Sequence, residues 1–388
     1  MKVCFETFGC RLNKAEALHM EAEYLARGWT RTEEHKDADL FIVRGCSVTS
    51  SAQSECERLI AHLKKRYPSK PIRVCGCLPD KGYLPPEPPA ADMDAAPVPT
   101  RTARAYLKVQ DGCSGRCTFC TVPRFRGNSV SVDFNKTLDR SKRFIESGYH
   151  EIVVTGCNLS LYASQGKRLP DLVDALASLD AGCRIRLGSV EPGSCALETV
   201  HAMSARPNAC RFLHLPVQSG SIQVLLAMRR SYDIKAIGET VEAATRLMPQ
   251  IGLGCDLITG FPGETELDFA ATKSLIRRHR FSNAHVFPFS ARPGTVAATL
   301  PHSLPHGIRS SRAHELSGEV SRVRTSFAQK FVGHNVDVLV EREQNGKSVG
   351  WTSEYLRCEI SGPAARKALV RVFVTEAKGD RLFGTLAR

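Results

Sequence analysis

Two sets of three cysteines carry most of the chemistry that this sequence can do. The first is compact: Gln110-Asp-Gly-Cys113-Ser-Gly-Arg-Cys117-Thr-Phe-Cys120 places three thiols at C-x3-C-x2-C spacing on one short loop. Thiolates so spaced can each hold one iron of a 4Fe–4S cube, because the loop wraps one face of the cluster. With no fourth cysteine nearby, one iron stays open to bind and reduce a substrate. A zinc structural site is the competing reading, but it wants four ligands, usually as two C-x2-C pairs. Buried core cysteines have no reason to crowd between glycines and basic residues.

The second set is dispersed. Residues 1–80 alternate strand and helix patterns, with strands near Lys2–Phe8, Asp39–Arg44 and Ile72–Cys75 and helices near Asn13–Arg27 and Ser50–Tyr67. That alternation predicts a parallel sheet. A Gly-Cys pair closes each strand, at Cys10, Cys46 and Cys77. The carboxyl ends of parallel strands share one edge, where ligands bind, so these three thiols are expected to converge. Glycine before each lets the backbone bend around a bulky ligand. A second cluster with an open iron follows as the expectation, against chance placement of a residue that is often buried. Cys4, Cys56 and Cys75 read as bystanders.

The elements that must position these loops follow in order. Residues 79–100 are rich in proline and alanine and read as a stiff linker. From Arg104 six strand candidates (Ala105–Val109, Glu151–Thr155, Arg184–Leu187, Phe212–Leu215, Leu253–Ile258, Ala284–Phe287) alternate with helical segments such as Asp133–Ser147, Leu169–Leu179, Ile234–Met248 and Glu264–Arg280. Six βα units predict a partial (βα)6 barrel of TIM type with its site at the carboxyl ends of the strands. The loop of Cys113 follows the first strand and falls on that rim. So do Thr155-Gly-Cys-Asn158, Ser189-Val-Glu191-Pro192, Pro216-Val-Gln218-Ser219-Gly220 and Asp256-Leu-Ile-Thr-Gly260-Phe-Pro-Gly-Glu264. Gly156 and Gly260 would admit a ligand close to the backbone, and Glu191 and Gln218 would take its hydroxyls. For the Gly-Phe-Pro-Gly-Glu segment a plain turn before a helix is the competing reading. Residues 302–330 carry apolar positions at helical spacing, and short strands split by glycine after Gly333 predict a small antiparallel β-barrel. The fold class expected is α/β, with boundaries at 1–100, 101–330 and 331–388.

Composition narrows the class. Hydrophobic content of 42% and charged content of 24% over 388 residues suit a soluble globular protein of two or three domains. Fifteen cysteines without a signal peptide argue against a disulfide framework and for reduced thiols in the cytoplasm. No apolar run approaches the roughly 20 residues that span a bilayer. A net charge of +13 favours a polyanionic partner. Basic groups concentrate at Lys64-Lys65-Arg66, Arg101–Arg126 and Arg277-Arg278-His279-Arg280. Solvated helix faces are the bland reading of those runs; beside a cluster site they point to nucleic acid.

The loop spacing, with Phe119 just before the last cysteine, resembles the radical S-adenosylmethionine (SAM) superfamily. The flanks Val109-Gln-Asp-Gly-Cys and Thr121-Val-Pro-Arg-Phe-Arg-Gly127, with Thr7-Phe-Gly-Cys-Arg-Leu-Asn-Lys-Ala-Glu16 and Val43-Arg-Gly-Cys-Ser-Val-Thr49, resemble the methylthiotransferases. The resemblance implies a 4Fe–4S cluster on Cys113, Cys117 and Cys120 that cleaves SAM, and an auxiliary 4Fe–4S cluster on Cys10, Cys46 and Cys77 that holds the sulfur. It implies SAM contacts on the rim, at Phe119, Gly156, Asn158, Glu191, Gln218, Ser219, Asp256 and Gly260. Met228-Arg-Arg-Ser-Tyr232 resembles the family's Met-Asn-Arg-x-Tyr segment, with Arg229 in place of asparagine. The last barrel resembles the RNA-binding TRAM domain, whose Trp351, Tyr355 and Arg357 would meet RNA unless they are core. The first domain is shorter than in the family.

The activity so implied replaces C–H by C–S–CH3 at C2 of an adenine. The segments Gly9–Glu16 and Thr155-Gly-Cys-Asn-Leu look most like the branch acting on N6-threonylcarbamoyladenosine at tRNA position 37, beside the anticodon. An electron donor such as flavodoxin or ferredoxin is the further partner, and no membrane is expected. The alternatives are the isopentenyladenosine branch, the branch acting on a ribosomal-protein aspartate, and a non-catalytic iron–sulfur RNA-binding protein.

Overall fold

The computed structural model describes residues 1–47, 50–78, 98 and 101–387. Nearly all of the expected proline-rich linker lies outside the described residues. Residues 1–78 form a four-stranded parallel sheet from β1 (Lys2–Thr7), β2 (Thr30–Arg31), β3 (Leu40–Gly45) and β4 (Ile72–Gly76), in the order β2-β1-β3-β4. Its helices are α1 (Arg11–Ala26) and α2 (Ser50–Arg66). β3 is buried along its whole length, as a central parallel strand requires. Cys4 and Cys56 sit in the core with Phe41, Val43 and Ile60, where burial pushes the Cys56 thiol up to about 12.

The central body has six parallel strands: β5 (Ala105–Lys108), β6 (Glu151–Thr155), β7 (Arg184–Leu187), β8 (Phe212–Gln218), β9 (Gly252–Thr259) and β10 (Asn283–Pro288). They pair as two three-stranded halves, β7-β6-β5 and β8-β9-β10. Parallel bridges Ile185 to Ala209 and Ser189 to His214 join the halves. This is the open six-stranded barrel expected, with β5 and β10 at its free edges. Helices α3 (Val122–Arg126), α4 (Phe134–Glu146), α5 (Leu169–Ala177), α6 (Ser194–Ser204), α7 (Ile222–Ala227), α8 (Ile234–Leu247) and α9 (Glu266–His279) lie between the strands, and α10 (His306–Gln329) follows them. Alternate strand residues (Leu107, Ile152, Val154, Ile185, Leu213, Leu253, Cys255) pack outward against Leu172, Val200, Val241 and Ile276 of the helices. The intervening positions face the barrel interior.

Two other parts of the molecule fill that interior. From one side α1 enters, packing Ala15 and Leu18 on Tyr106 of β5 and Val153 of β6. From the amino-terminal end of the strands comes the turn after β12 (Lys347–Thr352) of the last domain. That domain closes into a barrel in the order β11 (Asn335–Gln344), β12, β13 (Arg357–Ser361), β15 (Arg381–Leu386) and β14 (Leu369–Lys378). Its pairings are antiparallel except β13 with β15, which run parallel. Tyr355 stacks on Trp351 and on Phe212 of β8, at 4.7 Å between ring centroids in both cases. Arg184 and Arg186 donate to the carbonyls of Trp351 (2.7 Å) and Thr352 (2.9 Å) while both also hold the buried carboxylate of Glu151. Trp351 donates from Nε1 to Glu341 (2.9 Å). These two aromatics are therefore committed to domain packing rather than free to stack on RNA bases.

Candidate functional site

The three strand-end cysteines of the first domain come together as their glycines require. Gly9 and Gly76 both adopt φ of +93°, which an L side chain resists. A Cβ on Gly9 would lie 2.7 Å from Sγ of Cys46, and one on Gly76 would lie 2.6 Å from the carbonyl oxygen of Gly45. Asn13, at the start of α1, ties the loops by donating to the carbonyls of Phe8 (2.9 Å) and Gly45 (2.8 Å). The Cys77 amide donates to Gly45 as well (3.1 Å). Cys46 and Cys77 are buried and Cys10 is exposed, so the set is open on one side.

The second loop sits on the barrel rim after β5. Its sulfurs are surrounded by donors: Gly115 N–H to Cys113 (3.3 Å), Val122 N–H to Cys120 (3.4 Å) and Arg230 Nη1 to Cys117 (2.9 Å). Such donors suit sulfur that carries negative charge. Without a bound cation, burial raises the Cys117 thiol and pushes Cys120 up to about 11. Thr118 anchors the loop through its hydroxyl and amide to the carbonyls of Ala227 (2.9 Å) and Met228 (3.1 Å). Three free thiols, ringed by N–H donors on a glycine-bearing loop, fit an iron–sulfur cluster with one iron unligated.

Arg126, at the end of α3, joins the two sets. Its guanidinium donates to Sγ of Cys77 (2.9 Å), to Oδ1 of Asn13 (2.8 Å), to Glu16 (3.0 and 3.1 Å) and to Asp111 (2.9 Å). Lys108 bridges Glu16 and Asp111 at 2.5 Å each. Burial by itself would raise Glu16, but its Arg126 hydrogen bonds and the charges of Arg44, Lys108 and Arg126 hold it down to about 2. Asp111 is likewise held to about 2. Cys157 stands in the same place, 3.5 Å from Oδ1 of Asp111. Across the second barrel edge Arg292 bonds Gln53 of α2.

The rim residues expected around a ligand divide into two groups. Glu191 accepts from Arg230 (2.6 Å), which also holds Cys117, so Glu191 faces the loop. Phe119 packs beside Val224, Met228, Phe261 and Phe289 at the same rim. Gln218 takes φ of +68° at a strand bulge there. Others are occupied within the protein. The open side of Gly156 is filled by the Gln110 side chain, and that of Gly260 by Arg309. Asn158 caps a short turn by accepting from Ser160 N–H (3.1 Å). Ser219 is fully buried against Thr272 of α9. Asp256 lies deeper in the barrel, where its carboxylate accepts from His214 and His285. The two histidines, and Arg126 as the link between the sets, were not singled out in the sequence. Their only signal is spacing along separate strands and loops.

The chain is 31% identical over 99% of its length, and 98% of the relative's, to "tRNA-2-methylthio-N(6)-dimethylallyladenosine synthase" of Cereibacter sphaeroides (strain ATCC 17029 / ATH 2.4.9). This chain belongs to the methylthiotransferase family. It is 30% identical over 93% of its length, and 91% of the relative's, to "Threonylcarbamoyladenosine tRNA methylthiotransferase MtaB" of Thermotoga maritima. The Bacillus subtilis protein of the same name is 27% identical over 93% of this chain and 90% of its own. Residues 107–276 match the radical SAM superfamily, and residues 2–84 match the uncharacterized protein family UPF0004. The fold is shared with the radical SAM methyltransferase TsrM from Kitasatospora setae, at TM-score 0.57 and 12% identity, over 76% of this chain and 77% of that one. Membership makes this methylthiotransferase a radical SAM enzyme that uses a 4Fe–4S cluster and SAM, and Cys113, Cys117 and Cys120 fit that cluster. Among the described residues no helix is long and apolar enough to cross a membrane.

Proposed function

We propose that this enzyme is a tRNA methylthiotransferase that places a methylthio group on C2 of N6-threonylcarbamoyladenosine at position 37, with a second 4Fe–4S cluster on Cys10, Cys46 and Cys77. The observation that carries the reading is Arg126, one side chain bonded to a cysteine of the first set and to the flank of the second. Two open three-thiol sites held together by one guanidinium suit a reaction in which hydrogen removal and sulfur delivery address the same carbon. When bound, the cluster and SAM supply homolytic chemistry that can replace an unactivated C–H bond.

The protein's own part is placement. Arg230 orients Glu191 and Cys117 on the rim, and Asn13 with the glycines shapes the second cradle. The last barrel meets RNA, and a flavodoxin or ferredoxin supplies electrons. The names of the Thermotoga and Bacillus relatives support the threonylcarbamoyl substrate. Identity of 31% to a dimethylallyladenosine synthase favours a second reading, the same chemistry on the isopentenylated base.

Mass spectrometry of tRNA nucleosides from cells with and without the gene separates the two. Loss of 2-methylthio-N6-threonylcarbamoyladenosine alone is the expected result. Loss of the isopentenyl analogue would move the substrate, and no change in either would overturn the reading. Within the enzyme, Cys113→Ala should abolish SAM cleavage, whereas Cys46→Ala should leave cleavage intact and stop thiomethylation. Full methylthio product from the Cys46 variant would refute the second-cluster assignment.

A further inference from the structure

His214 of β8, Asp256 of β9 and His285 of β10 face one another across three adjacent strands inside the barrel. A single oxygen, Oδ1 of Asp256, receives Nε2 of His214 at 3.1 Å and Nδ1 of His285 at 2.9 Å. The two imidazole rings lie 5.3 Å apart between centroids. Glycine at 254 makes the grouping possible, since a Cβ there would stand 2.7 Å from Nδ1 of His214. The three are graded in exposure: the His214 side chain is 6% exposed, Asp256 23% and His285 57%. Buried His214 and partly buried Asp256 thus hold an exposed His285, on the strand at the free edge of the barrel.

The protonation pattern follows from the partners. Asp256 is held in its ionised form despite burial by His214 and His285, so it only accepts. Both ring nitrogens that face it carry hydrogen. In neutral His285 this leaves Nε2 as a bare acceptor directed away from Asp256. On the same strand face, Phe287 lies 6.3 Å from the His285 ring, a flat apolar neighbour suited to stacking on a base.

We propose that His285, oriented by Asp256 and His214, reads the target base by accepting a hydrogen bond from the exocyclic N6–H of an N6-monosubstituted adenine turned into the barrel. This rests on the proposed tRNA function but applies equally to either N6 substituent. An adenine bearing one N6 substituent keeps one N6–H, and an adenine bearing two has none. Once a bound base covers His285, a hydrogen bond of this kind discriminates because the unpaired partner then has no substitute. Asp256 and His214 are positioning residues, acting through the tautomer of His285.

The test uses the cluster-loaded enzyme and two synthetic anticodon stem-loops, one carrying N6-methyladenosine and one N6,N6-dimethyladenosine at position 37. Wild-type enzyme should bind the first roughly tenfold more tightly. His285→Ala should bind both alike. Asp256→Asn, which keeps the side-chain shape but allows His285 to carry its hydrogen on Nε2 instead, should also lose the preference. Iron content and circular dichroism equal to wild type exclude misfolding, which would weaken both stem-loops together. Discrimination that survives in both variants, or that is missing in wild type, overturns the inference. Failure of the wild type to bind any adenine stem-loop overturns the tRNA reading itself.

Discussion

Arg126 has an exposed environment nowhere along its head group: its side chain is 8% exposed and its partners are two carboxylates, an amide and a thiol. Removing one partner of a buried charge network usually costs about 3–5 kcal/mol, because the remaining charges stay buried. Arg126→Ala should lower stability by about 3 kcal/mol in urea unfolding. Arg126→Lys, which keeps charge but loses the fork, should recover part of it. The same network sets a pH dependence. Glu16 and Asp111 are both held near 2, below their unfolded values of roughly 4.3 and 3.9. Their stabilisation is therefore complete above about pH 5 and lost as pH falls toward 2. Urea midpoints of iron-free protein should fall over that window, and the slope should flatten in Arg126→Ala. None of this was legible locally. Arg126 belongs to a recognisable flanking segment, but Cys77 and Glu16 are 49 and 110 positions away. The six cysteines stand out in the sequence because each set marks itself, by loop spacing in one case and by glycine at strand ends in the other.

At the scale of elements, α1 does two jobs. Its first two turns carry Asn13 and Glu16 to the cysteine loops, while Ala15 and Leu18 pack into the barrel. Leu18→Ala should cost about 3 kcal/mol by leaving a void against Tyr106 and Val153. It should also cut methylthio product more than SAM cleavage, since it loosens one cysteine set relative to the other. The helix α9 starts at a capping box, with Thr265 accepting from Asp268 N–H (3.2 Å) and Asp268 accepting from Thr265 N–H (2.9 Å). Strands buried on both faces were easy to find from their apolar runs. β7 was found from four residues, but the meaning of its two arginines was not: charge in a buried strand is explained by Glu151 on the neighbouring strand and by carbonyls of the last domain. The helix α6 gave little signal, because Ser194–Ser204 mixes small and polar residues and packs mainly through Ala196, Val200 and Met203.

For the molecule as a whole, the interlocking of the three parts is the feature hardest to foresee. Exposed aromatics in a small terminal barrel suggest RNA contacts, yet Tyr355 is a plug between Phe212, Arg186 and Arg11. Tyr355→Ala should destabilise by about 3–5 kcal/mol, the range for a buried aromatic cut to alanine. Limited proteolysis should then release the last barrel, where wild type stays intact. If the cleavage pattern is unchanged, the plug does not hold the parts together. Domain order was readable from changes in hydrophobic period. Domain contact was not, because it depends on a turn whose residues look like those of any β-hairpin.

The Arg11 guanidinium donates to the Tyr355 hydroxyl at 2.9 Å across 344 positions of sequence. During synthesis at roughly 5–20 residues per second, Arg11 leaves the ribosome on the order of twenty to seventy seconds before its partner exists. Until the turn that carries Tyr355 is made, Arg184 and Arg186 lack the carbonyls of Trp351 and Thr352 that cover them at the base of the barrel. A segment translated after the barrel strands is thus the one that seals their base, so a chain stalled before Tyr355 is left unsealed at a stage that quality-control proteases can recognise.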